Sequence, residues 1–172
     1  MFEKGVTGTM PQSRLDATDI RILEAIQTNG RLSNVDLANR IGLSPSACLR
    51  RVQALEGEGY VRGYSAQLNP KKVGLGVTAV VMVTIAQDNE EQMEAFRRRM
   101  IALPEVLFCL AVTGVADYIL RVVAPDLEAF ERFVVRDLLK TPGVKDVRSH
   151  FVIGTVKDSV GLPLTYAEGL HH

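Results

Sequence analysis

The sequence predicts an α+β protein in two parts, a helix-turn-helix unit of three short helices followed by a ferredoxin-like βαββαβ sandwich. Three observations predict it. Apolar residues recur at helical spacing from residue 15 to 60, and become β-branched and strand-like from 73 onward. The second and third helical segments are joined only by Gly42-Leu43, the tight connection of a helix-turn-helix. Beyond residue 73 the segments run strand, helix, strand, strand, helix, strand.

The elements follow in order. Residues 1–13, with little apolar periodicity and several Gly, Thr and Pro, read as a flexible tail. The first unit spans 14–64. In its first helix Asp16 is the expected N-cap with Asp19 three residues on, Ile20, Leu23 and Ile26 share a face, and Asn29-Gly30 stops the run. In the second, Ser33 caps, Asp36 takes the reciprocal position, Val35, Leu37, Ala38 and Ile41 are the apolar set, and Gly42 ends it. The third opens on Ser44 as cap with Pro45 at the first helical position, and closes at Gly57 and Gly59. VRGYSAQL is strand-like and suits a wing or the entry to the next domain, and 65–74, with NPKK inside it, is the expected linker.

The second unit spans 75–160. LGVTAVVMVTIA is a strand, EEQMEAFRRRMIAL a helix with Met93, Phe96 and Met100 on one face, EVLFCLAVT and DYILRVVA strands around the turn GVAD. DLEAFERFVVRDLLKT is a helix started at Pro125-Asp126 and stopped at Pro142-Gly143, and VKDVRSHFVIGTVK is the last strand. Residues 161–172 read as a loose tail, with His171 and His172 part of it rather than metal ligands.

Composition narrows the function. The 172 residues carry 20 Lys+Arg and 20 Asp+Glu at 47% hydrophobic, which excludes wholesale disorder. No apolar run reaches the length of a membrane span and no secretory leader is visible, so the expected location is cytoplasmic. Cys48 and Cys109 form no spaced framework, as in a reducing compartment. With zero net charge, any nucleic-acid contact must come from a local patch.

Alternation in the strands carries a further consequence. A four-stranded antiparallel sheet with both helices on one face leaves the other bare, and a bare face is expected to be polar. Here Val77, Ala79, Val81 and Val83 alternate with Val80 and Met82, and Val106, Phe108, Leu110 and Val112 with Leu107, Cys109 and Ala111. Both faces are apolar, which predicts a second copy on the uncovered one, against the alternative that the N-terminal unit covers it.

On a wheel of the third helix, Cys48, Leu49, Val52 and Leu55 form the apolar stripe. Opposite lie Ser46, Ala47, Arg50, Gln53 and Ala54, with Arg51 on the flank. Small residues near the helix start permit close approach to base edges, and Arg50 one turn on can fork onto guanine or clamp a phosphate. The candidate double-stranded DNA contacts are thus Ser44, Ser46, Ala47, Arg50, Arg51 and Gln53, with Ser44 first of all the cap. Acids and bases nearly cancel across 16–64, so one such unit binds DNA weakly and paired units are needed. A solvated basic face on a protein-binding module is the competing reading.

LDATDIRIL, LANRIGLSPSACLRRVQALEGEGYVRGYSAQLNP, LAVTGVADYILRV and TPGVKDVRSHFVIGTVK resemble the Lrp/AsnC regulators in order and spacing, from about 14 to 160. The resemblance implies a winged helix-turn-helix joined to an effector domain of ferredoxin-like fold, homodimers assembling to octamers, promoter binding and response to a small amino acid such as leucine held between subunits. It places the effector turn at Gly114 and Asp117, with Val115 where the family often has an acid, and Ser149 at a hydroxyl position of the last strand. In such a turn Asp117 would pair the ligand ammonium and the Gly114 amides its carboxylate.

Two other functions compete. Val115 motivates an effector-independent protein that wraps DNA. An enzyme akin to tetrapyrrole decarboxylases of related fold is the remote alternative. His150 is the single histidine inside the folded region and no nucleophile–base pair accompanies it, so the chain is expected to be no enzyme and to need no metal or cofactor besides the amino-acid effector.

Overall fold

The computed structural model describes residues 15–86, 90–158 and 161–168. The chain divides into two compact units, one of residues up to Ala66 together with those from Asp158 onward, the other Gln67–Lys157. The expected tail 1–13 and the histidines 171 and 172 lie outside the described residues.

In the first unit, α1 (Ala17–Thr28) begins with a full capping box: the Asp16 carboxylate accepts from the Asp19 amide at 2.8 Å, and Asp19 reciprocates on the Asp16 amide at 3.2 Å. Helix α2 (Asn34–Ile41) starts on Ser33, whose hydroxyl accepts from the Asp36 amide and donates to its carboxylate, and stops at Gly42 in the left-handed conformation, φ 80°. Helix α3 (Pro45–Gly57) starts on the Ser44 cap with Pro45 in its first turn. The three pack around Ile22, Leu23, Ala25, Leu37, Ala38, Ile41, Cys48 and Leu55. Val35, expected inside, is exposed. Only Leu37, Ala38 and Ile41 fall on the packed stripe of so short a helix.

Two expectations change in this unit. Residues 61–69 take no regular secondary structure, so the strand-like segment forms no ladder among the described residues. Residues 161–168, expected to be loose, pack onto the unit instead: the Gln27 side chain donates to the Leu162 carbonyl at 3.0 Å and accepts from its amide at 2.9 Å. Leu164 packs against the helical core, and Thr165–Glu168 form a short helix, α6. A side-chain amide satisfying both backbone groups of one residue replaces the ladder bonds that the segment lacks.

The second unit opens with a single 3₁₀ turn, Pro70–Val73, capped by Asn69, inside the stretch read as linker. Then come β1 (Val77–Ile85), α4 (Glu90–Ala102), β2 (Val106–Ala111), β3 (Tyr118–Ala124), α5 (Leu127–Phe133) and β4 (Val144–Phe151). The strands form one antiparallel sheet in the order β2-β3-β1-β4, the ferredoxin-like topology. Ala79, Val81, Val83 and Ile85 of β1 and Tyr118, Leu120 and Val122 of β3 face a core shared with Phe96, Met100, Phe130, Phe133 and Leu138. Asp126 caps α5. Beyond α5 the helix does not continue regularly: Val134–Leu138 form a π turn, with the Leu139 amide bonded to the Val134 carbonyl at 2.8 Å.

The alternation expected for β2 also breaks. Its register against β3 shifts between Val106 and Phe108, so Val106 and Cys109 both pack on the core while Phe108 and Leu110 are exposed. A bulge of this kind switches the face of every later side chain. The helix-free face thus carries Val80, Met82, Ile119, Phe108 and Leu110, with Arg121, Arg148 and His150 paired opposite them. No helix among the described residues is long and apolar enough to cross a membrane.

Candidate functional site

Helix α3 presents Ser44, Ser46, Arg50, Gln53 and Ala54 to solvent, with Ala47 half-buried beneath them. Cys48 is fully buried and its neighbour Leu55 nearly so. This orientation follows from the buried stripe at 48, 52 and 55: Arg50 and Ser46 fall on the far side of the helix. The Ser44 hydroxyl accepts from the Ala47 amide at 3.3 Å and lies 3.3 Å from the Ser46 hydroxyl. It is therefore largely committed to the helix. Leu49, read as part of the apolar stripe, is instead 46% exposed, because it lies about 100° around the wheel from Cys48.

Arg51 behaves differently from Arg50. One of its terminal nitrogens sits 2.8 Å from an Asp16 oxygen and 2.7 Å from an Asp19 oxygen, tying α3 to the capping box of α1. Its guanidinium is held charged, by the bond to Asp19 above all, then by that to Asp16. Burial opposes the charge on Asp16, but the Asp19 amide and the Arg51 guanidinium hold its carboxyl below the usual range. A depressed carboxyl stabilises the fold above its unfolded pKa and loses that stabilisation as pH falls, so the clasp is intact at neutral pH and fails in acid. Arg51, expected among the free DNA contacts, is thus occupied by a contact within the unit. Arg51→Ala is expected to lower the stability of the helical unit by about 0.5–1 kcal/mol at neutral pH, since solvent screens a pair this exposed, read as a shift in denaturant midpoint that shrinks below pH 4. Alternation along a wheel cannot reveal this pairing, because Asp16 and Asp19 are some thirty residues away; their double use as caps was the available signal.

The turn between β2 and β3 holds Gly114, Val115 and Asp117. Gly114 has φ 120°, a conformation that side chains disfavour, with open space around it. Val115 is 79% exposed. Asp117 is half-buried: its carboxylate accepts from the Ile85 amide at 2.8 Å, its amide donates to Val83 at 3.0 Å, and its carbonyl accepts from Val112 at 3.0 Å. It therefore fastens the turn to the end of β1.

Ser149 is not brought to this turn. Its partner in the ladder is Val81, on the helix-covered side, whereas the turn leads into Tyr118 opposite Val83. That leaves two strand spacings, roughly 10 Å, across the sheet and two residues along it. The residues of β4 that do approach Val115 are Asp146 and Arg148, which with Met82, Thr84 and Ala116 line a small hollow. Arg148 donates to Asp146 at 2.9 Å. Period-two alternation in VKDVRSHF places these two charges on one face.

Cys109 is half-buried, and burial pushes its thiol up to about 11, so it offers no thiolate. No group of three His, Cys, Asp or Glu among the described residues could hold a metal ion.

Both units match families of known proteins. Residues 15–62 match the winged helix-turn-helix DNA-binding family and residues 78–162 the Lrp/AsnC ligand binding domain. The chain is 38% identical to the leucine-responsive regulatory proteins of Escherichia coli and Salmonella typhimurium, over 87% of its own length and 91% of theirs. A transcriptional regulator from Neisseria meningitidis, solved as a complex with L-Met, is 45% identical, with a TM-score of 0.86 over 88% of this chain and 98% of that one. An AsnC family transcriptional regulator from Agrobacterium tumefaciens is 36% identical, with a TM-score of 0.83 over 88% of this chain and 99% of that one. With a helix-turn-helix unit and a ferredoxin-like unit that match the DNA-binding and ligand-binding domains of these regulators, the chain belongs to the Lrp/AsnC family of transcriptional regulators.

Proposed function

We propose that this regulator reads promoter DNA with the outward face of α3 and adjusts its binding to a small apolar amino acid such as leucine or methionine. The observation that carries the reading is that face itself: Ser46 and Ala47 leave room at the start of the helix, and exposed Arg50 and Gln53 follow one and two turns on. Arg51 supports it from beneath through Asp16 and Asp19. The protein acts as a homodimer that assembles toward an octamer, because the near-neutral charge of one unit gives little phosphate neutralisation. The effector binds beside Gly114, Val115 and Asp117, where the exposed amides of the Gly114 turn suit a carboxylate and Asp117 an ammonium. Ser149, remote from the turn within one chain, joins that pocket only where subunits meet. Leucine and methionine are the first candidates, since relatives at 38% and 45% identity are named for one and complexed with the other.

Titration calorimetry against a panel of amino acids tests this. Heat is expected with leucine or methionine, and Asp117→Asn is expected to weaken that binding about tenfold or more. The asparagine oxygen still accepts from the Ile85 amide, so the turn survives while the charge is lost. No heat with any amino acid would replace this reading with an effector-independent protein that wraps DNA, which the apolar Val115 favours.

A further inference from the structure

We propose that the hollow between α4 and the π turn after α5 is a binding site for a phosphate group. Ala95 and Arg99 of α4 form one wall, and Arg136, Asp137, Lys140, Thr141 and Pro142 the other, around about 280 Å³. Three cationic side chains and one carboxylate line it, and the carboxylate is spent: Asp137 takes the hydrogen bond and ion pair of Arg99. That pair holds the Arg99 guanidinium in the wall. Arg136 and Lys140 are exposed and lie one turn apart, and among the described residues neither has an acidic partner. Like charges at this spacing repel, and a dianion between them removes the repulsion.

The site is built on rigid elements. Met100 of α4 and Leu138 of the π turn are fully buried in the core, and Thr141 is buried with its hydroxyl donating to the Asp137 carbonyl at 2.6 Å. The π turn supplies Arg136 and Asp137 to the hollow's wall, and Lys140 follows it two residues on. A phosphate fits better than a carboxylate because it offers more oxygens and more charge to guanidinium and ammonium donors. The phosphate can come from the DNA backbone or from a free phosphorylated solute. The site is built within the ferredoxin-like unit from residues of neither the α3 face nor the Gly114 turn, and it does not depend on either being assigned correctly.

The full chain carrying Arg136→Gln with Lys140→Gln tests the proposal, both positions being exposed and outside the core. The first arm is thermal unfolding with inorganic phosphate, using chloride and acetate at matched ionic strength as controls. About 10 mM phosphate is expected to raise the wild-type midpoint by roughly 3 °C beyond the controls and to leave the double variant unmoved. The second arm is the salt dependence of binding to a long duplex. If the phosphate is that of DNA, the slope of log affinity against log salt falls by about one per protomer in the variant. If it is a free solute, the slope is unchanged while the thermal shift is lost. A wild type that responds no more to phosphate than to acetate, or a variant that responds as fully as wild type, overturns the site.

Discussion

Arg50→Ala is expected to weaken promoter binding by about 10- to 100-fold, with the fold intact. Arg50 is exposed on the far side of α3 from Cys48 and Leu55, so its removal opens no cavity and breaks no core contact. Alanine is also a better helix former than arginine. A lost bidentate contact to a base edge costs about 1–3 kcal/mol of discrimination, and a lost phosphate contact lowers affinity for all sequences alike. The two roles separate in one experiment, a fluorescence anisotropy titration of specific and scrambled duplexes at fixed salt. A base contact lowers only the specific affinity, and a phosphate contact lowers both. Unchanged affinity for both duplexes would remove α3 from the DNA interface. Arg51→Ala makes the informative control, since its effect should travel through stability rather than through the choice of duplex.

The second large effect concerns assembly. Phe108→Glu combined with Leu110→Glu is expected to break the proposed oligomer into single subunits. Both side chains sit on the helix-free face of the sheet, 40% and 53% exposed in one chain. Their replacement therefore costs the isolated fold little. Within an interface the same change places two carboxylates against the Val80, Met82 and Ile119 surface of a second copy; Arg121 lies opposite residue 108, whereas residue 110 faces only apolar Ile119 and its charge is left unpaired. Burying unpaired charge costs several kcal/mol, which corresponds to a loss of dimer affinity of roughly a thousandfold or more. Light scattering of the variant at micromolar concentration reads the mass directly. DNA affinity should fall in parallel, since linked reading heads multiply weak contacts. A variant that keeps its native mass would show that another surface joins the subunits.

Much of this molecule is legible from its residues because local chemistry dictates it. Asp16 with Asp19, Ser33 with Asp36, and Ser44 with Pro45 mark three helix starts where they occur. The ferredoxin-like order likewise follows from the periods of the segments. What escaped was set by pairings distant in sequence or by departures from regular geometry. The bulge before Phe108 turns over the face of β2, and nothing in EVLFCLAVT announces it. The π turn at Val134–Leu138 hides inside a segment whose composition is simply helical. Arg51 finds its acids some thirty residues upstream. At the turn between β2 and β3, the resemblance singled out Gly114 and Asp117, but the bond from the Ile85 amide to Asp117 and the approach of Arg148 and Asp146 from β4 arise only through the register of the sheet.

The grip of Gln27 on Leu162 has a consequence for synthesis of the chain. Leu164 contributes to the core around α1, yet it is made about 140 residues after that helix. Helices α1 to α3 are therefore made before this part of their core, and one flank stays incomplete until Leu164 has been added. Products that end before Leu162, even with α1 to α3 and every strand of the sheet in place, would carry a loosened head and be preferred prey for proteases.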